Sequence, residues 1–184
     1  TTANSNTAFG RASLNANTTG TSNTAVGWSA LQDNTTGTDN TAVGVLALEN
    51  TTTGANNTGM GRSALGANTT GTRNTAVGKD TLKTNTDGNY NTAIGYQALE
   101  FNIGNTNTAV GDQALELNTS GSGNSALGDD ALFSNTTASN NTAVGSSALA
   151  YNTTGASNVA VGKSSLYSNT TASNNTAVGF ESLK

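Results

Sequence analysis

Apolar and polar residues follow one another along this chain on a fixed beat. The tract N-T-A-V-G and its variants begin at Asn6, Asn23, Asn40, Asn57, Asn74, Asn91, Asn107, Asn124, Asn141, Asn158 and Asn175. The spacing is 17 residues everywhere except between Asn91 and Asn107, where it is 16. The consensus, N-T-A-V-G-x-x-A-L-x-x-N-T-T-G-x-x, fills the chain eleven times, so residues 1–184 read as a single repeat domain. The ninth position is leucine in every copy: Leu14, Leu31, Leu48, Leu65, Leu82, Leu99, Leu115, Leu132, Leu149, Leu166 and Leu183. The fourth is always apolar: Phe9, Val26, Val43, Met60, Val77, Ile94, Val110, Leu127, Val144, Val161 and Val178. The fifth is always glycine, whereas the sixth, seventh, tenth and eleventh accept anything from Arg11 and Trp28 to Asp80, Glu100 and Tyr151.

Helices fit this pattern badly, because Thr, Asn and Gly dominate and a recurring Gly costs a helix up to about 1 kcal/mol each time. Two short extended segments per repeat, T-A-V-G and x-A-L, separated by Gly-bearing turns, predict an all-β fold: a parallel β-solenoid of eleven coils. Coils stacked about 4.8 Å apart make a rod of roughly 50 Å. A buried Asn repeated at one corner of each coil can bond to its counterparts above and below, forming a ladder. The short repeat reads Asn102-Ile103-Gly104-Asn105-Thr106-Asn107 where others read N-T-T-G-x-x-N, which identifies that segment as a turn, since loops tolerate deletion and strands do not.

The invariant fourth and ninth columns are expected to form the core. The third column never exceeds a methyl: Ala8, Ala25, Ala42, Gly59, Ala76, Ala93, Ala109, Ala126, Ala143, Ala160 and Ala177. In a strand it points away from the fourth. If the fourth faces inward, the third faces outward, and its small size marks close packing against an identical chain. A tight bend that admits only small residues is the alternative.

N-T-A-V-G-x-x-A-L resembles the head repeats of trimeric autotransporter adhesins of the YadA-like type. It is also similar to repeats of phage and bacterial tail-fibre and surface-fibre proteins, a form that Asn91-Thr92-Ala93-Ile94-Gly95-Tyr96-Gln97-Ala98-Leu99 nearly reproduces. The resemblance spans the whole chain. It implies a left-handed parallel β-roll, three chains around one axis, and service as a stiff surface fibre or adhesive head. The chain begins and ends within a repeat, which fits either a segment of a longer fibre or head-to-tail stacking.

Composition narrows the chemistry. The chain has no Cys and no His, and only 10% of its residues are charged, with a net charge of −4. Thiol and imidazole chemistry are therefore absent, and nothing in this charge balance suits nucleic acid. No apolar run approaches the roughly 18 residues of a membrane helix. Carboxylates such as Asp80, Asp112, Asp129, Asp130 and Glu181 fall in variable columns, so no catalytic pair, metal site or cofactor is expected and the chain reads as a non-enzyme. The N-T-T tracts at Asn17, Asn34, Asn68, Asn135, Asn152 and Asn169 match the glycosylation sequon.

The leading expectation is a structural, self-associating fibre component, extracellular or on a virion. An adhesive head that binds surface glycans through outward aromatics, Trp28, Tyr96 and Tyr151 foremost, is the second. Ice binding is the third: the second column is threonine in nine copies, broken by Ser125 and Val159, and would space hydroxyls in a regular array. Against it, the second column shares a side with the fourth, which is expected inside. On this reading Ala93→Leu leaves a single solenoid intact and disrupts its association, which native mass would show.

Overall fold

The computed structural model describes residues 3–184. Each repeat contributes one three-residue strand, β1 (Thr7–Phe9), β2 (Thr24–Val26), β3 (Thr41–Val43), β4 (Thr58–Met60), β5 (Thr75–Val77), β6 (Thr92–Ile94), β7 (Thr108–Val110), β8 (Ser125–Leu127), β9 (Thr142–Val144), β10 (Val159–Val161) and β11 (Thr176–Val178). They form one 11-stranded parallel sheet in sequence order, like residue opposite like: Thr75 faces Thr92, Ala76 faces Ala93 and Val77 faces Ile94. The fold is the expected all-β solenoid. The 16-residue repeat leaves this register untouched, with Thr92 opposite Thr108 and Ala93 opposite Ala109. The missing residue is absorbed in the turn between Asn102 and Asn107.

The second expected strand does not form. In the x-A-L segment, the seventh and ninth residues take left-handed backbone angles, as at Gln97 (φ 54°) and Leu99 (φ 53°). A strand would send Ala98 and Leu99 to opposite faces. The turn instead drives both inward, and both are fully buried. A leucine in this conformation costs about 1–2 kcal/mol, of the same order as the roughly 1.5–3 kcal/mol that burying its side chain returns. Main-chain bonds also hold the turn from both sides: Gln97 N–H donates back to Lys79 O (3.1 Å) and Leu99 N–H donates forward to Ala114 O (3.0 Å).

The strand faces the opposite way from the one expected. Ala25, Ala42, Ala76, Ala93, Ala109, Ala143 and Ala160 are wholly buried within the chain's own core, as are the leucines from Leu31 to Leu149. Leu14 is only partly covered in the first coil and Leu183 is exposed in the last. A methyl built onto Gly59 would lie 3.2 Å from Leu48 Cγ and 3.1 Å from Ala64 O, so the leucine across a thin coil limits the third column to a methyl. The column Ala8, Ala25, Ala42, Gly59, Ala76, Ala93, Ala109, Ala126, Ala143, Ala160 and Ala177 is therefore no subunit interface. Val26, Val43, Val77, Ile94, Val110, Val144, Val161 and Val178 lie on the outer face of the sheet and are not core.

Two ladders of asparagine run the length of the rod. In the first column, Asn40 N–H donates to Asn23 Oδ1 (3.0 Å) while Asn40 Nδ2 donates to Gly54 O (2.8 Å), and the pattern repeats through Asn158. In the twelfth, Asn135 Nδ2 donates to Asn118 Oδ1 (2.7 Å) and to Ala138 O (3.0 Å). The sequon asparagines thus have their amides committed, and Asn34, Asn68, Asn135 and Asn152 are wholly buried. At the fifth position only glycine fits. Its φ is 126–142°, and a Cβ on Gly95 would sit 2.2 Å from Gly111 O.

The twelfth-column ladder is interrupted at two places, and each leaves an orphan. Thr51 stands where Asn34 Oδ1 needs an amide from the next coil, and that oxygen is buried without a partner. Asn102, in the shortened turn, directs its amide to Gly104 O, and Asn85 Oδ1 is likewise orphaned. Thr51→Asn should complete the first rung and raise stability by about 1 kcal/mol in urea unfolding. Ala93→Leu should now break the rod itself, costing about 3 kcal/mol or more by the same measurement.

Candidate functional site

Two surfaces stand out from the turns. The first is the outer face of the sheet. Strand alternation puts the second and fourth columns there together, so threonine hydroxyls and aliphatic side chains form parallel stripes. Met60, Ile94 and Leu127 are 42%, 41% and 50% exposed, in the middle of the rod where coils cover them above and below. Neither column contains a charged residue in any copy. Most threonines of the thirteenth column spend their hydroxyls on the next coil, as Thr35 Oγ1 does on Thr52 O (3.0 Å), whereas Thr86 donates to Asp87. Those of the second column make no such bond among the described residues.

The fourth column was misassigned from sequence because its parity with the second was read correctly but its direction was not. Its own variation carried the needed signal. A position that accepts Val, Ile, Leu, Met and Phe has no volume limit, whereas one restricted to Ala and Gly does. Volume constraint, not hydrophobicity, marks the inside of so thin a coil.

The second surface is a groove along the x-A-L turns, walled by the seventh column on one side and the tenth and eleventh on the other. Charge is concentrated along it. Lys83 lies 3.5 Å from Asp80 and 3.3 Å from Glu100. Burial works against its ammonium, but Glu100 and Asp80 outweigh that and hold its pKa above the usual lysine range. Gln97 Nε2 donates to Glu100 Oε2 at 2.5 Å. One coil further on, Glu116 is only 8% exposed and its Oε2 has no partner. Desolvation first, then the neighbouring Glu100, push its pKa above the ordinary carboxylate value. Asp130 is raised too, by desolvation and then by Asp129 and Asp112.

The groove holds two depressions of similar size, one of about 270 Å³ beside Glu49 and Lys83 and one of about 280 Å³ lined by Gln113, Asp130, Phe133, Ser147, Ala150, Tyr151 and Tyr167. Tyr151 and Tyr167 meet edge to face, with ring centres 4.9 Å apart and planes at 82°. Of the three aromatics singled out from sequence, only Tyr151 belongs here. Trp28 and Tyr96 are exposed in the sixth column, four coils or about 19 Å apart, and form no common platform. Tyr167 and Phe133, not singled out from sequence, line the depression with Tyr151. Asp129 and Asp130 lie in a turn. No cluster of three or more His, Cys, Asp or Glu among the described residues is placed to hold a metal ion, and no helix is long and apolar enough to cross a membrane.

No family model matches the chain, and neither the curated proteins nor the solved structures contain a significant match to it.

Glu116 and Asp130 bind their protons more tightly in the rod than in the unfolded chain. Their stabilising contribution is therefore complete below the unfolded carboxylate range and is lost as pH rises through their raised values. Thermal melts followed by circular dichroism should show a higher Tm near about pH 4 than near about pH 7. Glu116→Gln should raise the Tm at neutral pH and flatten that dependence.

Proposed function

We propose that this chain is a structural segment of an extracellular or virion fibre, a stiff β-solenoid rod that associates with copies of itself through the outer face of its sheet. The observation that supports this most is the uninterrupted apolar stripe of the fourth column. It runs the length of the rod without a charged residue, beside hydroxyl-bearing threonines that add hydrogen-bonding capacity but no charge. Contiguous exposed apolar surface of this kind marks interaction sites.

Three copies around one axis, the arrangement that the resemblance implies, suit the dimensions. Eleven rungs at about 4.8 Å and a strand of three residues make a flat face of roughly 50 by 10 Å, or about 500 Å². That is less than the roughly 800 Å² per partner of a typical stable pair. Threefold packing lets each chain contact two others, so that the flanks of the strand are covered as well as its face. The mechanism is mechanical: inter-coil main-chain bonds resist bending, association removes the apolar stripe from water, and the rod holds whatever it carries at a distance.

The array of free threonine hydroxyls favours a second reading, ice binding. The side of the coil on which they stand is the outside, which removes the objection raised from sequence alone. The two readings place different occupants on one face, and native mass separates them. A trimer or larger particle supports the fibre, whereas a monomer that shows thermal hysteresis in dilute solution supports ice binding.

For the fibre, Val77→Glu combined with Val110→Glu should leave the circular-dichroism spectrum of the rod unchanged while reducing the particle to a monomer in light scattering. An oligomer that survives both substitutions would remove the sheet face as the contact.

A further inference from the structure

Of the two depressions in the groove, the one beside Tyr151 combines aromatic rings, an apolar floor and a carboxylate. Tyr151 and Tyr167 stand at right angles, so between them they present ring surface in two directions. Phe133 and Tyr167 occupy the tenth column on either side of Ala150, whose small side chain leaves the recess and supplies an apolar floor. Asp130 closes the opposite wall, with neither a salt bridge nor a hydrogen bond to its carboxylate among the described residues.

Charge beside Asp130 and Tyr151 is of one sign, and the nearest cation beyond them in sequence, Lys163, stands in the coil of Tyr167. From Asn107 to Ser157 there is no Lys or Arg, while Asp112, Glu116, Asp129 and Asp130 all lie within it. Such a field repels anions and attracts cations, and low-dielectric walls beside it strengthen the effect.

The rest of the chain shows what its tyrosines attract. There are four. Arg73 lies over the Tyr90 ring and Lys79 over the Tyr96 ring, each 5.2 Å from the ring centre. Tyr151 and Tyr167 have no such cation among the described residues, although theirs is the more acidic setting and the only one with ring faces paired in a recess. The two rings and Asp130 face the same recess, which a ligand from outside the chain can enter.

We propose that this recess binds an alkylated ammonium group, its methyls against Tyr151, Tyr167 and Ala150 and its charge facing Asp130. An alkylammonium is preferred to a bare ammonium or a small metal ion because its methyls are weakly hydrated. It loses little on leaving water and gains contact with rings and an apolar floor, which is the physical basis of aromatic recognition of such cations. The inference does not depend on the fibre reading, because the groove lies on the turns and not on the sheet face.

The test is titration of the full chain with choline chloride, followed by the tyrosine ring resonances, with sodium chloride at matched ionic strength as control. Saturable shifts confined to Tyr151 and Tyr167 are expected. The neutral tert-butyl analogue of choline should bind on the order of tenfold more weakly. Tyr167→Leu and Asp130→Asn should each weaken choline binding several-fold without changing the circular-dichroism spectrum. Because both residues are surface-facing, a variant that lost its fold could be replaced by the milder Tyr167→Phe, which should retain binding. The proposal fails if choline produces no saturable shift or if the neutral analogue binds equally well. It fails also if methyl glucoside binds more tightly than choline, which would make the recess a sugar subsite.

Discussion

The main-chain hydrogen bond from each coil to the next, in parallel and in register, governs the rest of the molecule. It sets identical positions above one another, so every side chain is surrounded along the rod axis by its own counterparts. A residue type survives in a column only if it tolerates itself at about 4.8 Å. Asparagine does so by donating with its amide and accepting with its carbonyl, one coil to the next. Leucine does so by filling the interior of successive turns, even at the cost of a left-handed backbone. Glycine at the fifth position does so because nothing larger clears the carbonyl beside it. The orphaned oxygens of Asn34 and Asn85 show the same constraint from the other side, since each sits where its column changes partner.

Much of this could be read from the repeat alone. The period, the parallel stacking, the asparagine ladder and the turn at Asn102 to Asn107 all follow from positions that do or do not tolerate change. Two features could not be read so directly. Alternation established that Ala93 and Ile94 face opposite ways, but not which way is inward, and the greater hydrophobicity of isoleucine pointed to the less constrained side. The x-A-L segment reads as a strand because Ala98 and Leu99 are apolar neighbours. Nothing in their identities announces the positive φ that turns both inward. In a coil this thin the interior holds one large side chain per turn, and Leu99 occupies that place already.

The charged groups carry a different lesson. Column stacking multiplies whatever the column holds, so a carboxylate placed above another carboxylate is strained electrostatically where, as at Glu116, burial weakens the screening by water. Lys83 relieves Glu100. Glu116 has no equivalent, and with Asp130 it gives one stretch of the groove a negative character, as Asp33 and Glu49 do in another. Local surface features in such a rod arise from departures within otherwise uniform columns, here Ala150 between two aromatics and a run of acids without a base. They are invisible in the consensus and appear only when the individual repeats are laid one upon another.

The shortened repeat has a last implication. Since the strands of β6 and β7 pair normally across a turn that has lost a residue, lateral alignment does not record how long the excursion between them was. A coil therefore stacks on its neighbour in the same register whatever the length of its turn. Each repeat adds one increment of about 4.8 Å along the axis, so the rod's length is proportional to its number of repeats.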